Sequence, residues 1–361
     1  MKAAVFRKAH EPLAIENVEV DAPRANEVLI RTAACGVCHS DLHIVQGVLP
    51  WPSAAVMGHE AAGTVTAVGS AVTYVKPGDR VVACPSPFCG KCAKCLTGHP
   101  HLCADRRTLR RARGEHPRLS SDGKPLDQFA DIGGYAEQLL LHENAVVKIP
   151  DAMPLDRAAL IGCGVTTGMG AVLNTAKVPT GASVAIFGAG GVGLAAIQAA
   201  RLAGAAKVIA VDLLESKLAA ARRMGATHTV DASSTEPVKA IREITGGGAD
   251  YAFEVIGIAK VVEQAMASIG PGGTAVSVGV VPPTESIKVQ WSDLFQEKKL
   301  TGSQMGSNRF RVDIPTYVDF YLQGRLNLDD MVTRRVPLEE VNEAFRAMTA
   351  GEVLRSVVVF E

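Results

Sequence analysis

Three things are missing from this 361-residue chain, and each narrows what it can be. It has no net charge, because 37 lysines and arginines stand against 37 aspartates and glutamates. Without a global attraction to phosphate backbones or anionic lipid, neither nucleic acid nor a membrane surface is an expected partner. It has no recognisable leader: Met1–Val20 carries charges throughout and lacks an apolar core followed by a small-residue cleavage site, so a cytoplasmic protein is expected. It shows no internal repeat and no low-complexity tract, and aromatics make up only 5% of residues. Long apolar runs are scarce too. One segment, Gly181–Ala200, is free of charge and could be scored as a membrane span on hydropathy alone. What is present is 47% hydrophobic and 20% charged residues, enough to fill folded cores, in a length that suggests two domains.

The eight cysteines carry the first specific signal. Four of them form Cys89-x2-Cys92-x2-Cys95-x7-Cys103, with Pro85, Pro87 and Pro100 nearby. In a reducing compartment such close spacing suits a metal better than disulfides. Four thiolates close a tetrahedral Zn2+ shell and leave no open position, which is the pattern of a structural site. An iron–sulfur cluster is the alternative for C-x2-C-x2-C, and the x7 gap and the lack of a second such run weigh against it. Cys38, His59 and Cys163 are candidates for a second metal. Two thiolates and an imidazole would leave a fourth position for water or substrate, as catalytic zinc requires. On spacing alone, Cys163 reads equally as a small core residue and His59 as a turn histidine.

The first 150 or so residues read as β-rich, with strand signals at Val28–Thr32, Ala61–Val68 and Arg80–Ala83, the last after the turn Pro77-Gly78-Asp79. From Gly181 the pattern alternates short apolar strands with helical periods: strands at Ser183–Phe187, Lys207–Val211, Tyr251–Ile256 and Thr274–Val278, helices at Val192–Leu202, Leu214–Met224 and Ala259–Ile269. That rhythm predicts a doubly wound parallel α/β sheet. Between its first strand and helix lies Gly188-Ala189-Gly190-Gly191-Val192-Gly193, the G-x-G-x-x-G of a dinucleotide site in its proper context. Gly188 and Gly190 allow the tight turn and close approach to a pyrophosphate at the helix N-terminus, and Gly193 allows helix-on-strand packing. The charge-free segment is therefore a buried strand and helix. Asp212 ends the next strand, where a carboxylate would accept from the adenosine ribose hydroxyls and repel a 2′-phosphate, favouring NAD over NADP. A plain helix-capping aspartate is the other reading of Asp212.

With these motifs in this order, the sequence resembles the zinc-dependent medium-chain alcohol dehydrogenase family, of the long-loop type, over essentially its whole length. The matching segments are CGVCHSDLH (35–43), GHEAAGTV (58–65), KPGDRV (76–81), CGKCAKCLTGHPHLC (89–103), GCGVTTG (162–168), FGAGGVG (187–193) and the tail 309–361. The resemblance implies a β-rich GroES-like catalytic domain from residues 1–163 and 300–361, and a Rossmann cofactor domain from 164–299. It implies two Zn2+ per subunit: a catalytic one on Cys38, His59 and Cys163, and a structural one on Cys89, Cys92, Cys95 and Cys103. It makes Asp41 the carboxylate orienting His59, Glu60 a carboxylate beside the metal, Ser40 the hydroxyl touching the substrate oxygen, and His43 the solvent end of a proton relay. His39 and Arg309 would meet the cofactor pyrophosphate, Lys217 a ribose, and Thr167 and Val278 the nicotinamide. For Val278 a core role, and for Lys217 and Arg309 a solvated charge, are the plainer readings. The implied reaction is reversible oxidation of a primary alcohol to its aldehyde with hydride transfer to NAD.

Two features bear on specificity. DRRTLRRAR (105–113) places five arginines after the four-cysteine cluster, either as a solvated loop or as a subsite for an anionic group, a thiol conjugate or a cofactor phosphate. The S-(hydroxymethyl)glutathione dehydrogenase branch has acidic residues that are missing from the matching loop 47–52. Leu49, Trp51 and Met305 suggest instead an apolar pocket for a medium-sized or aromatic primary alcohol. The loop 106–134 resembles that of dimeric members, so a homodimer is expected, with a tetramer the alternative. A zinc-free reductase of the same superfamily would lack the Cys and His ligands, and a non-catalytic dinucleotide-binding protein would tolerate loss of Ser40, His43 or a ligand. None is missing here.

Overall fold

A computed structural model describes every residue except Arg113. The chain divides into two compact units, Met1–Gly164 with Arg309–Glu361, and Val165–Asn308.

The first unit is β-rich, and one strand organises its chemistry. Glu27–Gly36 pairs antiparallel with Glu60–Val68 on one side and with the C-terminal strand Arg355–Val359 on the other, while Gln138–His142 also pairs with it. Alternate residues Val28 and Ile30 point into a core shared with Val65, Leu139, Leu141 and Val358. The register sets Gly36 opposite both Glu60 and Val357, so that residues at 38, 59–60 and 355 meet although they are far apart in sequence. Gly36 has to be glycine here, since a Cβ would collide with the Glu60 carboxylate. A second sheet contains Lys2–Phe6, Ala55–Val56 and Lys124–Gln128, the last leading directly into Phe129.

The second unit is a six-stranded parallel sheet in the order His228–Asp231, Lys207–Asp212, Ser183–Phe187, Ala249–Glu254, Ile269–Ser277, Lys299–Gly302. Its strand order reverses between Ser183–Phe187 and Ala249–Glu254, the switch point where such sheets take ligands at their carboxyl ends. The charge-free segment is the strand Ser183–Phe187, buried from Val184 onward, followed by the helix Gly191–Leu202. A different run, Leu155–Ala176, is long and apolar enough to cross a membrane by length and composition, yet most of it is buried within the protein.

Within the second unit the sequence pattern missed two strands, His228–Asp231 and Lys299–Gly302. The second changes the domain boundary. Residues 300–308 were expected with the catalytic domain, but Lys299–Gly302 pairs along Ile269–Ser277, and the turn Met305–Ser307 packs on the helix Thr166–Gly170, so the chain leaves the second unit at Asn308. The strand expected at Tyr251–Ile256 also ends earlier, at Glu254, because the Glu254 carboxylate takes the amides of Ile256 and Gly257 at 2.7 and 2.6 Å and turns the chain out of the sheet.

Candidate metal centres and dinucleotide site

Cys38, His59, Glu60 and Cys163 bring their donor atoms within 4.8 Å of one another in the first unit. Three of the four sit at the start of an element. Cys38 precedes the helix His39–Val45, His59 precedes the strand Glu60–Val68, and Cys163 lies in the π-helical stretch Ile161–Val165, an irregularity common at functional sites. His59 is 2% exposed and Asp41 is fully buried, with Asp41 Oδ2 3.0 Å from His59 Nδ1. The Gly58 amide donates to the other Asp41 oxygen at 2.8 Å, and the Tyr135 hydroxyl stands 3.3 Å from Oδ2. With Nδ1 directed at a carboxylate, Nε2 is the nitrogen left for a metal. The Cys38 thiol is held well below its ordinary value, chiefly by a hydrogen bond from Cys163 working against burial, with His59 and Arg355 adding to it. Two thiols, one of them favouring thiolate, and an oriented imidazole in a buried cluster are the donor set Zn2+ takes.

Beneath this cluster Glu60 is ion-paired with Arg355, which also donates to the Val37 carbonyl at 3.1 Å, while the Gly164 amide donates to Glu60 at 3.2 Å. Burial pushes the Glu60 carboxyl up to about 7 against the pull of Arg355. Neither Arg355 nor Tyr135 was singled out from sequence. The one charge in the apolar run Leu354–Phe360 was a usable signal for Arg355, but its partner lies 295 residues away.

Cys89, Cys92, Cys95 and Cys103 likewise place their sulfurs within 4.8 Å of one another, and no cysteine is in a disulfide. Backbone amides of Cys92 and Lys91 point at Cys89 Sγ at 3.3 and 3.5 Å, and the Cys89 amide at Cys103 Sγ at 3.3 Å. Backbone hydrogen bonds hold the Cys92 thiol down at about 6. Four sulfurs cradled by N–H donors fit a closed Zn2+ shell with no room for substrate.

Ser40 and His43 lie on the helix His39–Val45, with Ser40 Oγ 3.8 Å from Cys38 Sγ. Burial pushes His43 below its ordinary 6.5, and its Nδ1 is buried without a hydrogen-bond partner among the described residues. His39 is exposed, its ring 6.4 Å from that of His43. Beside His59 runs an aromatic wall: Phe129 stands edge-on to His59 at 5.4 Å and to Trp51 at 5.3 Å.

In the second unit Gly188 adopts φ +102°, a conformation glycine tolerates, and a Cβ at Gly193 would collide with the Gly188 carbonyl. At Gly190 a Cβ would meet nothing within 4 Å, so the backbone there is open to a close-approaching ligand. Asp212 Oδ2 accepts from the Ala189 amide at 2.8 Å, and Oδ1 from Leu213 and Leu214 at 2.8 and 3.1 Å. The carboxylate therefore ties the glycine turn to the two residues leading into the helix Glu215–Arg223, whose N-cap is Leu214 with no side-chain capping bond, so Asp212 braces the turn and does not cap the helix. Thr167 is buried, 3.6 Å from Met305 Sδ, Val278 is half-buried just past its strand, and Lys217 is half-buried on its helix. Arg309 belongs to the first unit, where it is half-exposed and 3.5 Å from Asp313. Glu254, not recognised from sequence, is fully buried, with Oε1 holding the loop 256–258 and Oε2 unpartnered among the described residues.

The arginine-rich segment is mostly solvent-exposed, as a solvated loop would be, but three of its arginines are already engaged by carboxylates. Arg106 and Arg110 grip Asp131 at 2.7 and 2.5 Å, and Arg111 pairs with Asp21 and Glu27. Arg107 is exposed, and Arg113 lies outside the described residues.

Residues 24–151 match the family described as alcohol dehydrogenase GroES-like domain, and residues 191–323 match zinc-binding dehydrogenase. An alcohol dehydrogenase zinc-binding domain protein from Burkholderia ambifaria is 39% identical with a TM-score of 0.95, covering 100% of this chain and 98% of that one. Benzyl alcohol dehydrogenase from Acinetobacter calcoaceticus is 32% identical, TM-score 0.94, covering 100% and 99%. A zinc-binding dehydrogenase from Sinorhizobium meliloti, bound to NADP, is 30% identical, TM-score 0.83, covering 99% of each. Likeness of this extent, over both units and the full length, makes the chain a member of the zinc-dependent alcohol dehydrogenase family of medium-chain oxidoreductases.

Proposed function

We propose that the chain is an NAD-dependent dehydrogenase that oxidises an aromatic or medium-sized primary alcohol, of the benzyl alcohol kind, to its aldehyde. The observation that carries this reading is the buried Cys38, His59, Cys163 cluster with the Phe129–Trp51 wall directly beside it. A Zn2+ held by those three side chains would supply a Lewis acid that makes an alcohol hydroxyl more acidic. A nicotinamide dinucleotide would supply the hydride acceptor.

The remaining work falls to the chain. Asp41 fixes the His59 ring, and Tyr135 and the Gly58 amide fix Asp41. Ser40 accepts the substrate's hydroxyl proton at Oγ, and His43, kept neutral by burial, takes it onward toward solvent. Gly188, Gly190, Gly191, Val192 and Gly193 shape the pyrophosphate turn, and Asp212 braces it. The Asp212 charge, beside exposed Leu213 and Leu214 with no cation between them, supports NAD over NADP. With Arg106, Arg110 and Arg111 engaged by carboxylates of their own unit, a thiol-conjugated substrate has less to recommend it.

The test is a rate comparison with NAD and NADP over benzyl alcohol, cinnamyl alcohol, 1-propanol, 2-propanol and the glutathione adduct of formaldehyde. Preference for NAD and an aromatic alcohol is expected. Activity confined to the thiol adduct, or a preference for NADP, overturns the corresponding half of the reading. We also propose a homodimer. The strand Lys299–Gly302 is paired on one side only, and Trp291, Leu294 and Phe295 just before it are 72%, 55% and 76% exposed. An edge strand next to apolar surface can close on its own copy across a two-fold axis.

A further inference from the structure

The arginines after the four-cysteine cluster have a role that charge alone does not suggest. Phe129, whose ring meets His59 and Trp51, is followed by Ala130 at φ +54° and Asp131 at φ +64°. Two successive L-residues in the left-handed region persist only where their surroundings hold them there. The hold is visible. The Asp131 side chain is 9% exposed, and its two oxygens are taken separately by Arg106 Nη2 at 2.7 Å and Arg110 Nε at 2.5 Å. Arg106 follows Cys103 by three residues, so the segment supplying both guanidiniums is anchored by the last cysteine of the four. On the other flank Gln128 donates to the Ile132 and Leu140 carbonyls at 2.9 and 3.3 Å, which fixes the chain before and after the strained pair.

We infer that Arg106 and Arg110 are positioning residues for substrate selectivity: through Asp131 they hold the backbone that aims Phe129 at His59 and Trp51, so the four-cysteine lobe sets the aromatic wall of the substrate site. For its substrate the inference rests on the function proposed above; for its geometry it does not. The guanidiniums themselves never touch substrate. Release of Asp131 lets residues 130–131 relax, and the Phe129 ring loses its fixed edge-on setting.

The chain contains only two tryptophans, so Trp291→Phe leaves Trp51 as the sole indole. In that background we compare Asp131→Gly, which keeps access to the left-handed backbone and loses the carboxylate, with the milder Arg110→Gln on a half-exposed side chain. Both are measured as full-length protein with zinc content verified as equal to the parent. The expected result is a fall of about tenfold in kcat/KM for benzyl alcohol in Asp131→Gly, carried by KM, with 1-propanol changed less than about twofold. Arg110→Gln moves the same way by a smaller factor, and Trp51 emission shifts to the red and becomes more accessible to acrylamide. Equal losses for both alcohols, or an unchanged selectivity ratio with Trp51 emission unmoved, overturn the inference. Should the parent oxidise neither alcohol, the substrate reading fails by itself, and the Trp51 emission and quenching of the same variants still decide whether the clasp sets the wall.

Discussion

Replacing Glu27 with glutamine should cost the first unit a large part of its stability, by an amount that depends on pH in one direction only. Glu27 is 4% exposed and receives Arg111, Arg118 and the Arg24 amide. Burial alone would raise its carboxyl, but those donors outweigh it and hold the group at about 2 instead of 4.5. At about 1.4 kcal/mol per tenfold change, that difference is worth about 3 kcal/mol near neutrality. Glutamine keeps the volume but leaves the Arg111 and Arg118 guanidiniums, 7% and 9% exposed, short of a counter-charge, which points to a loss of about 3 kcal/mol or more. Because the folded carboxyl is depressed, its contribution is complete above the ordinary value and drains away as pH falls toward the depressed one. The gap between wild type and Glu27→Gln should therefore narrow by about 2 kcal/mol between about pH 6 and about pH 3. Urea unfolding followed by Trp51 emission in the Trp291→Phe background reads the first unit separately from the second. A loss under about 1 kcal/mol, or a gap that does not move with pH, refutes the reasoning.

Gly190→Ala should fold with an unchanged melting temperature, since its Cβ meets no atom, yet bind NADH at least about tenfold more weakly by fluorescence titration. Gly193→Ala should instead destabilise by roughly 1–3 kcal/mol through its clash with the Gly188 carbonyl, and equal binding by Gly190→Ala and wild type would remove the turn from the cofactor site. Plasma emission analysis should find two zinc ions per subunit; Cys163→Ser should lose one together with turnover, and Cys95→Ser should lose the other together with thermal stability. One zinc in the wild type contradicts the assignment of two metal centres. Burial keeps His43 neutral and able to accept a proton below its ordinary 6.5, so His43→Gln should lose turnover chiefly on the acid side and regain it with added imidazole. An unaltered pH profile takes His43 out of the relay. Light scattering should report a dimer, and the double variant Trp291→Ser, Phe295→Ser should shift it toward monomer if the exposed pair belongs to the interface.

The parts of this protein legible in its sequence are those whose signal is local. Ser183–Phe187 and Arg80–Ala83 run as expected because a short apolar stretch bounded by turn residues admits little else. The glycine turn, the four close cysteines and Asp212 each announce themselves within a few positions. The strand Lys299–Gly302 escaped notice for the opposite reason: KLTG is polar and short, and only its place along Ile269–Ser277 makes it a strand. Arg355, Tyr135 and Asp131 escaped in the same way, since their meaning is a partner distant in sequence. Glu60 and Arg355 stand 295 positions apart, Tyr135 and Asp41 94 apart.

The balanced charge count belongs to this second group. Equal numbers of acids and bases suggest an evenly solvated surface, but several of the charges are spent inside the first unit: Arg355 on Glu60 below the cysteine–histidine cluster, Arg111 and Arg118 on Glu27, and Arg106 and Arg110 on Asp131. The pairs among these with both partners buried, on Glu60 and Glu27, add little net stability over an apolar core of equal shape, because desolvation cancels most of the attraction. Their service is directional. A guanidinium can satisfy a carboxylate in few geometries, so each pair fixes the segment that carries it, and here those segments include the strand end at Glu60 beside His59 and the turn that bears Phe129. Removing one partner should therefore disturb reactivity and selectivity further than its distance from the metal ligands suggests, while swapping both for well-packed apolar residues should spare stability and still lose the alignment.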